Sequence, residues 1–231
     1  MTLTKANLVS KESLTPYVFK IVLKPEEMVT FKAGQYIQVV MGEQDKRPFS
    51  IANSPSKDNV IELHIGATPE NPYAYEVMQQ LEQQQWLMLE VAHGDAYLQN
   101  SALDTILIAG GTGYSYTKSI LMDILQHQAK RRVSLYWGGK TLADLYEAET
   151  LAALSEHHAQ FTFIPVVENS PADWQGRVGF VHRAVMEDIV NFSDKQVYVA
   201  GRFEMAKVVK EDLLALGLAP ENLLGDAFAF I

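Results

Sequence analysis

The chain contains no cysteine in 231 residues. That excludes disulfides, a thiol role in any reaction, and an iron–sulfur cluster ligated by cysteines of this chain. Positive charge is also scarce: 19 Lys and Arg stand against 28 Asp and Glu, for a net charge of -9. A nucleic-acid backbone calls for clustered Lys and Arg, so no nucleic-acid partner is expected. No apolar run approaches the 18 residues of a membrane span, and Met1-Thr2-Leu3-Thr4-Lys5 has no apolar leader core. The expectation is a soluble, cytoplasmic protein without a membrane partner. The six histidines show no H-E-x-x-H or comparable spacing, and His157-His158 lies in a polar stretch, so no metal site is expected. No G-x-S-x-G elbow surrounds Ser115, which excludes a hydrolase of that kind. No internal repeat or low-complexity segment is visible.

What is present suffices for a large core. Hydrophobic residues make up 48% and charged residues 20%. Over the first hundred residues short apolar runs alternate with turn chemistry. Tyr17 to Leu23 alternates with Phe19, Ile21 and Leu23 on one face; Tyr36 to Met41 follows Ala33-Gly34-Gln35; Val60 to Ile65 places Ile61, Leu63 and Ile65 together. These runs predict a small antiparallel barrel. One helix interrupts it, capped by Asn71, with Pro72 in its first turn and Tyr73 to Leu81 following. After Leu98 to Asp104 the rhythm changes. Strands at 105–109, 133–137, 161–167 and 196–200 alternate with helices at 115–127, 142–154, near 178–190 and 204–216, the pattern of a doubly wound parallel sheet. The expected domains are 1–100 and 104–231.

Two segments carry the chemistry. Arg47-Pro48-Phe49-Ser50 reads as a strand. Gly110-Gly111-Thr112-Gly113 sits between the buried run Thr105 to Ala109 and a helix. Glycines let backbone approach a ligand closely, and amides at a helix N-terminus favour a pyrophosphate. The spacing is not the G-x-G-x-x-G fingerprint, and no Lys-Ser/Thr follows to make a P-loop. A tight strand-to-helix turn without a ligand is the plainer alternative.

With these blocks in view, the chain resembles the NAD(P)H–flavin oxidoreductases, a branch of the ferredoxin–NADP reductase superfamily that includes flavin reductases of luminous bacteria. The marks lie in order along nearly the whole chain: Lys46 to Ser50, Glu62 to Ala67, Ile108 to Ser115, Tyr136 to Gly139, Ala200 to Ala206 and Gly225 to Ile231. The resemblance implies an N-terminal flavin-binding barrel and a C-terminal nicotinamide-binding α/β domain, with the site between them. It implies hydride transfer from NADH or NADPH to riboflavin, FMN or FAD, with both molecules bound together and the reduced flavin released. A luciferase, a monooxygenase or ferric iron could receive it.

By the same resemblance, Arg47 bonds the flavin arm and Ser50 lies near flavin N5 as the catalytic hydroxyl, flanked by Pro48 and Phe49. His64, Ile65 and Gly66 border the flavin, or His64, on the polar face of its strand, is exposed at the surface instead. Gly110, Gly111, Thr112, Gly113, Tyr114 and Ser115 fix the pyrophosphate. Gly201, Arg202 and Phe203 face the nicotinamide, and Phe228 and Phe230 pack over the flavin ring, a last sheet strand being the alternative for at least one of them. Three departures from the superfamily pattern stand out: Phe49 replaces a Tyr, no cysteine precedes Gly201, and Arg202 replaces a Pro. Pro69 and Pro72 remove amide donors where a flavin phosphate is expected, and Glu70 adds like charge there. The expected flavin is therefore an exchangeable substrate. The alternatives are an electron-transfer component with bound flavin, serving an oxygenase or ferredoxin, and a non-enzymatic pyridine-nucleotide sensor. In the loop after the second parallel strand, Lys140 and Thr141 offer no acid to repel a 2′-phosphate, and Asp144 is expected inside the following helix, so both NADH and NADPH are expected to serve.

Overall fold

The structure, a computed structural model, describes residues 2–231. Six strands form the N-terminal antiparallel sheet: β1 (Thr2–Ser13), β2 (Val18–Pro25), β3 (Tyr36–Val40), β4 (Lys46–Ser50), β5 (Ile61–Gly66) and β6 (Trp86–His93). Their order is β4-β3-β6-β1-β2-β5. The two ends of that order meet, because Ala52 N–H donates to Glu62 C=O at 2.8 Å just past β4. The sheet thus closes into a barrel around Ile21, Leu23, Ile37, Val39, Ile61, Leu63, Leu87 and Leu89. Helix α1 (Pro72–Gln84) covers one opening with Ala74, Val77, Met78 and Leu81, spaced as one helical stripe. Asn71 occupies its N-cap position but makes no side-chain cap hydrogen bond.

The second sheet is parallel. Its strands are β7 (Asp104–Gly110), β8 (Val133–Gly139), β9 (Phe161–Val167), β10 (Arg177–Val178), β11 (Lys195–Ala200) and β12 (Leu223–Leu224), in the order β10-β9-β8-β7-β11-β12. Helices α2 (Tyr114–His127) and α3 (Ala148–His157) cover one face, and α4 (Val181–Asp188) and α5 (Phe203–Ala215) the other. The strand order reverses at β7: successive strands run outward through β8 to one side, while β11 lies on the other. In open α/β sheets ligands bind at such a reversal, beyond the carboxyl ends of the strands.

Several local expectations change. The helix expected over 142–154 is a single 3-10 turn at Leu142–Asp144 followed by α3. Asp144 does not continue a helix: its Oδ2 accepts from Thr141 N–H and Thr141 Oγ1, and Thr141 caps in return. β1 and β6 are two strands beyond those expected from the apolar runs.

α2 also packs across onto the barrel. Ser119 Oγ donates to Asn53 C=O at 2.7 Å and accepts from Gly34 N–H at 3.3 Å. Tyr116 and Ile120 lie against Gly34, where an added Cβ would come within 3.2 Å of both.

Candidate active site

β4 brings Ser50 to the barrel mouth, and the β3–β4 register sets Tyr36 directly opposite it. Both are half-buried. The Tyr36 ring stacks on His93, with centroids 5.5 Å apart and planes 19° from parallel. Asp226 arrives from the C-terminal segment. A Cβ on Gly94 would lie 3.0 Å from both Asp226 Oδ1 and the Tyr36 ring, so the three converge on one spot. Burial, then the neighbouring Asp95 charge, push Asp226 up to about 6. Burial and the charges of Asp226 and Asp95 push the Tyr36 hydroxyl up.

At β7 the chain leaves Gly110 and enters a 3-10 turn, Gly111–Gly113, that runs directly into α2. Gly111 has φ +55, a conformation that favours glycine, and Trp137 Nε1–H holds its carbonyl at 3.0 Å. Gly111 and Thr112 are exposed. A side chain on Gly113 would collide with the Ala200 carbonyl and lie 2.8 Å from Gly201 N. One on Gly110 would lie 2.8 Å from Met205 Sδ. The glycines therefore let the loops after β7 and β11 touch backbone to backbone at the sheet's reversal point. The same turn reaches the barrel: a Cβ on Gly66, at the end of β5, would lie 3.3 Å from Thr112 Cγ2. The barrel mouth and the glycine crevice thus meet.

The other expected site residues fall in varied places. All five N–H groups of Arg47 are spent on the protein: Nε and Nη2 fork onto Asp45 at 2.8 and 2.6 Å, Nη2 reaches Glu76 at 2.7 Å, and Nη1 donates to the carbonyls of Tyr73 and Pro72 at 2.5 and 3.4 Å. Arg47 ties β4 to the start of α1. Pro48 is exposed, and Phe49 packs partly against the barrel core. Ile65 is a barrel-core residue. Tyr114 is buried, stacked on Trp137 at 3.9 Å, with its hydroxyl on Glu147 at 2.7 Å. Ser115 is buried too, and its Oγ has no hydrogen-bond partner among the described residues. Arg202 and Phe203 are exposed at the start of α5, and Phe203 meets Phe230 edge-to-face at 6.1 Å. Phe228 packs against the core under α5, with Lys210 above its ring, and Phe230 is exposed.

His64 lies on the strand face opposite the barrel core, but that face is covered by the second half of the molecule. Its Nδ1 meets Tyr146 Oη at 3.1 Å and its Nε2 meets Glu62 at 2.9 Å. Lys118 of α2 donates to Glu62 and to Glu147, each at 2.8 Å. Tyr36, Asp226 and this Lys118 cluster were not among the expected site residues. Tyr36 could be found only through its register opposite Ser50; the others are joined by tertiary packing alone.

Among the described residues no group of three or more His, Asp or Glu could hold a metal, and no helix is long and apolar enough to cross a membrane. A family model described as an oxidoreductase NAD-binding domain matches residues 107–211, which includes the glycine turn and β11. A curated NAD(P)H-flavin reductase of Aliivibrio fischeri is 45% identical over 96% of this chain and 97% of its own length. One of Vibrio harveyi is 44% identical over the same shares. Among solved structures, a cytochrome P450 reductase of Amycolatopsis matches 97% of this chain and 68% of its own, at TM-score 0.86 and 27% identity. A ferredoxin NADP+ reductase of Neisseria gonorrhoeae with bound FAD and NADP shares the fold at TM-score 0.79, covering 97% and 98% of the two chains at 21% identity. An antiparallel barrel whose mouth meets a glycine crevice, together with full-length identity of this order, places the chain in the NAD(P)H-flavin reductase family.

Proposed function

We propose that the reduction of flavin by NAD(P)H takes place where Gly66 meets Thr112, with a flavin ring at the barrel mouth beside Ser50 and Tyr36. The nicotinamide nucleotide lies over Gly110–Gly113 and Gly201. The observation that carries this reading is the contact of the two openings. Two bound rings can stack there without either leaving its own half. Hydride then passes from nicotinamide C4 to flavin N5, chemistry that the two molecules supply themselves. The protein's part is placement, which can lower a barrier by up to roughly 7–11 kcal/mol when reacting atoms are held at near-attack distance. Ser50 offers a hydroxyl to the flavin edge, and Tyr36 an aromatic face.

The flavin is held by its ring and leaves after reduction. Arg47, which the resemblance assigns to the flavin arm, has no donor left for a phosphate. Pro69 and Pro72 offer no amides there. The same two features disfavour an electron-transfer component with a resident flavin. Lys140, exposed after β8, meets the adenosine end, and both NADH and NADPH serve. The reduced flavin is available to a luciferase or monooxygenase partner. The test is direct: the purified protein is colourless, and it consumes NADH when riboflavin is added. Stoichiometric flavin surviving gel filtration, or no NADH consumption with any flavin, overturns the reading.

A further inference from the structure

The two substrates differ in charge. A flavin ring is neutral, whereas a nicotinamide dinucleotide carries an anionic pyrophosphate. A protein of net charge -9 repels that group unless a local cation offsets the field. Several cations stand near the two openings; Lys20 pairs with Glu62, and exposed Lys140 lies on the far, β8 side of the glycine turn. Arg47 is saturated by Asp45, Glu76 and two carbonyls. Lys118 is locked between Glu62 and Glu147. Arg202, by contrast, is exposed, and its side chain makes no ion pair or hydrogen bond among the described residues.

Its position is specific. Arg202 directly follows Gly201, whose Cβ position lies 3.3 Å from Gly110 N, so its backbone borders the glycine crevice. β7 lies between β8 and β11. Adjacent strands are about 4.8 Å apart, so the ends of β8 and β11 stand about 10 Å apart with the glycine turn between them. Exposed Lys140 marks the β8 side and Arg202 the β11 side. A dinucleotide crossing these strand ends sets its pyrophosphate over Gly111–Gly113, within reach of a long side chain from the β11 side. The one nearby acid on the same helix turn, Glu204, is also exposed and does not pair with Arg202.

We propose that Arg202 binds the pyrophosphate of the nicotinamide nucleotide, and that through it the site selects a dinucleotide over a bare dihydronicotinamide. The inference rests on the placement of the nucleotide given under Proposed function. A guanidinium fork fits two phosphate oxygens at once, which an ammonium does not.

The experiment compares the wild type with Arg202→Gln, Arg202→Lys and Arg183→Gln, an exposed α4 arginine that removes the same net charge elsewhere. Each reduces riboflavin with NADH and, separately, with 1-benzyl-1,4-dihydronicotinamide, which has no pyrophosphate. Arg202→Gln is expected to raise KM for NADH about tenfold or more with kcat within twofold, and to flatten the salt dependence of kcat/KM for NADH. Its kinetics with the benzyl donor match the wild type. Arg202→Lys recovers part of the loss, and Arg183→Gln behaves as wild type. Unchanged NADH kinetics in Arg202→Gln overturn the inference. So does an equal loss with both donors, which would place Arg202 at the ring site, or an equal loss in Arg183→Gln. If the wild type reduces no flavin with either donor, it is the functional reading that fails.

Discussion

Lys118, on the first helix of the parallel-sheet half, donates to Glu62 of barrel strand β5 at 2.8 Å, across the boundary between the two halves. This largely buried ion pair is one of several contacts, with Ser119 on Asn53 and Gly34, that set the relation of the two openings. Glu147 shares the same ammonium, and His64 shares the same carboxylate. Replacing Lys118 with Met leaves two largely buried carboxylates facing each other, with only the more distant Lys20, 3.9 Å from Glu62, as a cation. Breaking a buried pair from one side typically costs about 3–5 kcal/mol. The expected outcome is a large drop in Tm, with a partial return when Glu147→Gln is added. Equal Tm values for wild type and Lys118→Met would show that the cluster does not hold the halves together.

The pH dependence of this joint follows from Glu62. Burial alone raises its pKa, but hydrogen bonds from His64 and Lys118 and the Lys118 charge outweigh that and bring it to about 2. A carboxyl depressed on folding contributes stability above its unfolded pKa and loses it as pH falls toward the folded value. The contribution, at most about 3 kcal/mol, is present above pH ~4.5 and is lost between pH ~4.5 and ~2. Glu62→Gln is expected to remove that acid-side slope in denaturation midpoints measured from pH 6 to 3. An identical slope in the variant would assign the effect to other acids.

The sequence shows the architecture more clearly than the joint. The change from period-two runs to alternating strands and helices is legible, and so is the glycine turn, because both are local patterns. β1 is hard to see: among its alternating positions only Thr4 and Ala6 are buried, and it exists because β2 and β6 pair with it on both sides. β6 is legible in the alternation of Leu87, Leu89 and Val91. On β5, alternation sorts Ile61, Leu63 and Ile65 from Glu62 and His64, but it cannot tell a solvent face from one that α2 covers. Polar residues at such a covered face look solvated in sequence and are paired in structure. Ser50 was legible only with its neighbours, and its partner Tyr36 only through register.

Asp226 makes the opposite pH prediction. Its pKa rises to about 6 through burial and the nearby Asp95 charge. A carboxyl raised on folding contributes stability below its unfolded pKa of ~3.9, and that stability is lost as pH rises through about 6. At pH 7–8 the ionised group therefore costs up to about 3 kcal/mol. Asp226→Asn is expected to raise Tm at pH 8 and to leave it nearly unchanged at pH 4. A gain of the same size at both pH values would point to packing rather than charge.

Gly111 combines φ +55 with open space: no atom lies within 4 Å of the position a Cβ would take. Ala there meets no clash but carries a left-handed backbone cost of roughly 1–2 kcal/mol. Val adds a branched side chain toward the exposed crevice. Gly111→Ala should lower Tm modestly with a small rise in KM for NADH. Gly111→Val should raise that KM tenfold or more while riboflavin binding without NADH is unchanged. If Gly111→Val folds and keeps the wild-type KM for NADH, the nucleotide does not lie over this turn.

Ser50 stands opposite Tyr36 and makes no side-chain hydrogen bond within the protein among the described residues, so its hydroxyl is available to a ligand. A neutral hydrogen bond contributes roughly 0.5–1.5 kcal/mol, and one that strengthens as charge develops at the reacting ring contributes more. Ser50→Ala should therefore lower kcat by roughly twofold to tenfold or more, with the fold intact. Its effect should be the same with riboflavin and with FMN, because the two share the ring and differ only in the phosphate. The wild type should likewise treat them alike, since Arg47 has no donor left to tell them apart. A loss on Ser50→Ala with FMN but not with riboflavin would move Ser50 from the ring to the phosphate. Unchanged kcat with both would leave Ser50 as no more than the end of β4.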